Sequence, residues 1–392
     1  MHRPAPCPLR LAMLLVSRSA IAVMAYLIAT RCSYYFYSQK KHKCFFVNAT
    51  LALILALALC LPTLPALAAT FTDMDGHTVT VPDAPKRVYA LSPPDTLLVY
   101  ALDPCLLAGW NYPQTKEARE WYPPCARDQP VLGGFFGQGM TPDKEALLKA
   151  APDLVISGSM AKGNTDFEAF FTSLNIPVVH IDSDSPEAYP KALRVLGAVL
   201  GRKERGEALA ASAEQTLAAI RNGLATIPED KRLTVYYAEG GDGLYTDGQG
   251  SFHTQVLALA GGINVHPAPQ TRIYGMDKVT METVLGYAPK VILAQDAKCR
   301  DMILASPLWA ALPAVREGRV LNIPDLPLNW FDRPPSFMRL LGVKWLANTL
   351  YPEVFHYDMI LEIQVFMKLF WKREVTETEA RALLGQTGAA KP

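Results

Sequence analysis

Acidic residues are absent from the first 68 positions of this 392-residue chain, and all 37 Asp and Glu lie beyond them. A stretch with cations and no anions does not read as the surface of a folded soluble domain. It reads as a leader. "KKHKCFFVNATLALILALALCLPTLPALAA" supplies a basic segment at Lys40, Lys41 and Lys43, an apolar run from Ala49 to Leu61, and small residues at Ala66-Leu67-Ala68. This order is that of a secretory signal cleaved near Ala68. Bulky Leu59 before Cys60 disfavours a lipid anchor there. Upstream, "LAMLLVSRSAIAVMAYLIAT" is broken by Ser17-Arg18-Ser19. Either it spans a membrane or the true start lies further downstream; we adopt the second reading.

An excess of cations is also missing. Beyond residue 68 there remain 31 of the 38 Lys and Arg against all 37 acids, a balance of −6. That argues against a nucleic-acid partner. Cysteine is scarce, with only Cys105, Cys125 and Cys299 in this part. In an oxidising compartment the first two can pair; three unpaired thiols fit the sequence equally well. Enzyme signatures are lacking: no G-x-S-x-G elbow, H-E-x-x-H, P-loop or G-x-G-x-x-G occurs. Histidine pairs are lacking too. His77, His180, His253, His266 and His356 form no H-x-H or H-x3-H pair, and His77 falls in a predicted hairpin turn. A bare zinc or manganese site then requires long-range convergence.

What is present is alternation. "RVYALS", "LLAGWN", "DLVISG" and "PVVHID" read as buried strands, with helices at "DTLLVYAL" (capped by Asp95), "TPDKEALLKAA" (capped by Thr141) and "DFEAFFTSL". Strands alternating with helices predict parallel sheets covered on both faces. Two helices, 185–228, follow without a strand. Alternation then restarts with "RLTVYYAEG", "SFHTQVLALAGG", "METVLGYA", "KVILAQ", "SPLWAALPAVREG" and "RVLNIP". The expected plan is α/β with two Rossmann-like lobes: leader and signal peptide 1–68, N-terminal lobe 69–184, rigid helical connector 185–228, C-terminal lobe 229–350 and a C-terminal helical extension 351–392.

One unit recurs. "GMTPDKEALLKAAPDLVISG" and "KVTMETVLGYAPKVILAQD" each place a Glu seven residues before an Ala-Pro proline: Glu145 and Pro152, Glu282 and Pro289. With "DMDGHTVTVPDAPKRVYALSP" and "DGLYTDGQGSFHTQVLALAGGINV", these motifs resemble the periplasmic substrate-binding proteins of ABC importers for iron–siderophores, haem and vitamin B12. The resemblance covers about 71–350. It implies a monomeric class III binding protein without a cofactor of its own, whose ligand is a metal chelate and whose partner is a permease dimer with its ATPase. It implies that Glu145 and Glu282 dock onto permease arginines. A two-fold permease suits a duplicated acid.

In open α/β lobes, ligands bind beyond the carboxyl ends of the strands. Candidate ligand residues are therefore Ser92, Trp110, Tyr112, Phe135 and Phe136 in the first lobe, and Tyr245, Arg272, Tyr274, Trp330 and Arg333 in the second. Aromatic walls beside one or two cations suit a large, flat or anionic chelate. Haem ligation by a Tyr or His stays open, as does an oxyanion such as molybdate or tungstate.

Overall fold

Two parallel sheets and the helices between them carry the fold. A computed structural model describes residues 68–136, 140–269 and 275–385. The expected leader and its cleavage site fall almost wholly outside the described residues.

The described chain begins with a hairpin. Strands β1 (Ala68–Thr72) and β2 (Thr78–Pro82) pair antiparallel, Thr72 opposite Thr78. Asp73 builds the turn, its Oδ1 accepting from the N–H groups of Asp75 at 3.1 Å and His77 at 2.7 Å. Gly76 sits at φ 88°, a conformation that favours glycine.

The first parallel sheet has β4 (Leu154–Ser157) between β3 (Val88–Ala90) and β5 (Val178–His180). Around it lie helices α1 (Pro93–Leu102), α2 (Lys144–Ala150) and α3 (Thr165–Ser173). Two long helices follow, α4 (Tyr189–Val199) and α5 (Lys203–Leu224). They approach closely at Gly197 and Gly206, where a Cβ on either glycine would meet backbone of the facing helix within 3 Å. At 22 residues α5 is about 33 Å long.

In the second sheet β10 (Val291–Ala294) and β6 (Thr234–Ala238) are central, flanked by β11 (Val320–Asn322) and β8 (Ile263–Asn264). A small ribbon pairs β7 (Tyr245–Thr246) with β9 (Asp277–Lys278). The helices of this lobe are α6 (Gln255–Leu259), α7 (Met281–Tyr287) and α8 (Ala297–Ala305). The chain ends in α9 (Met338–Leu350), α10 (Met359–Phe370) and α11 (Glu377–Leu383), the last begun by a Thr376–Glu379 capping box. No described helix is long and apolar enough to cross a membrane.

Alternate strand residues feed different cores, as the two-residue period of a strand requires. Val88, Ala90, Leu154 and Ile156 share one continuous core with Val235, Tyr237, Val291 and Leu293, closed by residues of α1, α4, α5, α9 and α10. The opposite faces pack locally: Tyr89 and Val155 in one lobe, Tyr236, Ala238, Ile292 and Ala294 in the other. A buried Arg339 reinforces the junction. It donates to Tyr189 Oη (2.8 Å), Gln255 Oε1 (2.6 Å) and the carbonyl of Asp184 (3.1 Å).

Several local expectations are corrected. "LLAGWN" makes only bridges, Val88 with Leu107 and Trp110 with Val131. The cap of α2 is Asp143, whose Oδ1 accepts from Glu145 N–H and Ala146 N–H, because Pro142 is buried before the helix begins. Asp95 lies inside α1, and Ser92 precedes the helix instead. "SPLWAALPAVREG" splits at Pro313 into two short turns. Helix α8, begun by Asp296 accepting from Cys299 N–H at 2.8 Å, was not anticipated. Cys105 and Cys125 are bonded, and Cys299 is free and buried.

Candidate functional site

In each lobe a buried carboxylate sits just beyond the strand ends. In the first it is Asp95. Its Oδ2 accepts from Ser92 Oγ (2.5 Å) and Gly158 N–H (2.9 Å), its Oδ1 from Ser183 Oγ (2.7 Å). These donors follow β3, β4 and β5 in turn, so all three strand ends converge on one acid. Burial pushes the carboxyl up to about 6, against the pull of the three donors. A Cβ at Gly158 would collide with the carboxylate, which explains the glycine.

In the second lobe Glu239 follows β6 and is fully buried. Arg333 Nε donates to its Oε1 at 3.0 Å, and the same guanidinium reaches Asp247 and Asp332, each at 3.2 Å. Asp332 also accepts from Tyr237 Oη at 2.9 Å and pairs with His253 Nδ1 at 2.7 Å. Burial drives the Glu239 carboxyl well above its ordinary range; Arg333 pulls it down, and Asp332 and Asp247 add to the rise. One guanidinium thus balances three carboxyl groups, and one of them is held toward its neutral form.

The expected ligand residues divide sharply. Ser92, Trp110, Phe135 and Trp330 are buried. Ser92 is spent on Asp95. Trp110 donates from Nε1 to the Ala126 carbonyl at 2.8 Å and packs against Tyr122, while Trp330 donates to the Leu326 carbonyl at 2.9 Å. Phe135 stands edge-on to Phe167 in the local core. These four offer no wall to a ligand in this conformation. Tyr112 and Phe136 are half-buried, with ring centroids 5.4 Å apart. Tyr245 is half-buried, with Lys278 Nζ 5.7 Å from its ring centroid. Arg333 keeps a third of its side chain exposed. Arg272 and Tyr274 lie outside the described residues.

Asp95, Ser183, Glu239, Asp247 and Asp332 were not among the expected ligand residues. One signal was available: Glu239 directly ends the apolar run "TVYYA". Two of the three partners of Arg333 were not, because Glu239 and Asp247 lie 94 and 86 residues away, whereas Asp332 is its neighbour in the chain.

Glu145 and Glu282 are both exposed in the first turns of α2 and α7. Each seven-residue helix ends in a left-handed alanine, Ala151 or Ala288, before its proline and a central strand. The repeat in sequence is a repeat in conformation.

Residues 118–326 match the periplasmic binding protein family. The chain is 30% identical over 275 residues to the vitamin B12-binding protein of Salmonella typhi, covering 68% of this chain and 91% of that protein. It is 27% identical over 313 residues to the molybdate-binding protein of Haemophilus influenzae, covering 72% and 85% respectively. Among solved structures, an ABC transporter solute binding protein from Sulfurospirillum deleyianum superposes with a TM-score of 0.75 at 34% identity, over 81% of this chain and 99% of that one. Two parallel-sheet lobes joined by rigid helices, with these relatives, place the chain in the periplasmic binding protein family, as a class III substrate-binding protein of an ABC transporter.

Proposed function

We propose that this protein captures a metal chelate (a ferric siderophore, haem or a corrinoid) and delivers it to an inner-membrane permease with its ATPase. It does so as a periplasmic monomer, exported by the leader cleaved near Ala68, and it returns its ligand unchanged rather than acting as an enzyme. The observation that carries the reading is how the polar groups at the strand ends are spent. Ser92, Ser183 and Gly158 N–H all donate to Asp95. Arg333 is shared among Glu239, Asp247 and Asp332. A small oxyanion needs such donors free. Half-exposed rings such as Tyr112, Phe136 and Tyr245 instead suit a large ligand with flat or apolar edges. The name of the Salmonella relative favours a corrinoid within that class.

Binding of molybdate is the second reading, and the Haemophilus relative favours it. Native mass spectrometry with metal analysis, followed by titration with cobalamin, haemin, a ferric siderophore and molybdate, separates the two. One equivalent of a chelate supports the proposal. Binding of molybdate with indifference to every chelate overturns it.

Glu145 and Glu282 serve delivery. Their exposure and twin settings support docking to a pseudo-two-fold permease. Replacing both by Ala leaves ligand affinity unchanged and lowers uptake in reconstituted vesicles. Exposed charge pairs are each worth only ~0.2–1 kcal/mol, so either single change has a milder effect. Normal uptake by the double variant defeats the docking assignment.

A further inference from the structure

Away from the strand-end acids, three potential metal ligands converge at the edge of the first lobe. Asp73, His77 and His180 each offer one ligand atom, and these atoms lie within 4.8 Å of one another. His77 belongs to the hairpin turn and His180 ends β5, so two segments 103 positions apart supply the set. We propose that these residues form a binding site for a divalent transition metal of the zinc class, separate from the transported ligand.

Three observations prepare the site. First, the turn itself holds Asp73. Its Oδ1 accepts from the N–H groups of Asp75 and His77, while Oδ2 accepts from His180 N–H at 3.2 Å and lies 3.3 Å from His77 Nδ1. Second, the hairpin is tied to β5 by Met74 N–H donating to the His180 carbonyl at 3.0 Å. That bond holds the two imidazoles together, with ring centroids 5.5 Å apart. Third, a fourth ligand is near: Glu168 Oε1, on α3, lies 3.8 Å from His180 Nε2.

The donor types decide the metal class. Two imidazoles with one or two carboxylates match zinc and its neighbours, whereas calcium and magnesium prefer oxygen throughout. Zinc bonds of about 2.0–2.2 Å put ligand atoms roughly 3.4 Å apart in a tetrahedron, so the set needs only side-chain adjustment to close. A groove of about 480 Å³, lined in part by His77, Thr80, Glu168 and His180, gives solvent access. A bound metal would clip the hairpin to the edge strand.

The test uses the untagged protein, stripped with a chelator. Zinc is titrated calorimetrically, and cobalt is added separately to read its visible spectrum. One equivalent of zinc and the intense absorption of four-coordinate cobalt are expected. His77→Ala and His180→Ala should each weaken zinc binding by ~100-fold, and Glu168→Gln by ~10-fold. His77 is exposed, so its variant should fold normally, and an unchanged circular dichroism spectrum checks this. Failure to bind one equivalent, or full affinity in the His77→Ala, His180→Ala double variant, overturns the site. Neither result bears on chelate binding, which is measured at the strand ends with zinc absent.

Discussion

Helices α2 and α7 present Glu145 and Glu282 in matching settings, whereas Asp95 and Glu239, each at the inner end of a sheet, are held in opposite ways. Asp95 has three neutral donors and, among the described residues, no cation partner. Glu239 shares one guanidinium with two further acids. A duplicated lobe can keep its outer surface under a symmetric demand while its inner surface diverges. On the proposed function, the outer acids would answer to a partner with two related halves, and the inner acids to one ligand that touches each lobe differently.

The largest way to break this comparison is to remove the cation. Arg333→Ala leaves Glu239, Asp247 and Asp332 without their guanidinium, and losing one partner of such a buried set costs about 3–5 kcal/mol. Urea unfolding at neutral pH should show that loss; a variant as stable as the parent would mean the three acids need no counter-charge. The disulfide comes next, since only the first lobe has one. Opening the 20-residue Cys105–Cys125 link should cost about 3 kcal/mol. A reductant-insensitive melting temperature would contradict this. Free Cys299, its thiol pushed up to about 12 by burial first, should react with thiol reagents only on unfolding.

Asp95 gives a comparable but pH-dependent effect. Its folded value of about 6 exceeds the unfolded 3.8. The folded state therefore binds the extra proton, and this stabilisation is full below about 4 and lost as pH rises through about 6. The two-unit difference amounts to about 3 kcal/mol across that window. Asp95→Asn should flatten the stability profile there. Parallel profiles for parent and variant would show that the carboxyl is not raised. Smallest of all are Glu145→Ala and Glu282→Ala, each shifting stability by under ~1 kcal/mol because a first-turn acid acts only through the helix dipole. Larger losses would give these acids a structural duty and weaken their pairing as a docking set.

Periodic features were legible from sequence alone. Apolar runs such as "VYYA" and "VILA" are strands because burial on both faces demands unbroken hydrophobicity. The small-residue spacing in α5 fixes its buried stripe of Leu209, Ala213, Leu217 and Ile220. Non-local choices were not legible. Trp330 lies in an aromatic loop near a strand end, and nothing in its neighbours distinguishes a ligand wall from a core residue that donates to Leu326. Arg333 reads as a ligand residue because two of its three acids, Glu239 and Asp247, are remote in sequence. Helix α8 escaped notice because it buries only Cys299 and Ile303 and its start depends on Asp296 folding back.

The continuous core also governs how the chain can be divided. Val88 and Ile156 of one sheet belong to the same apolar body as Tyr237 and Leu293 of the other. Severing the connector would strip one face from each sheet at once. The lobes look like modules when drawn as topology, yet neither is a portable fragment. They would melt in a single cooperative step, and exchanging one lobe with a relative would demand a matching half of the core along with the ligand surface.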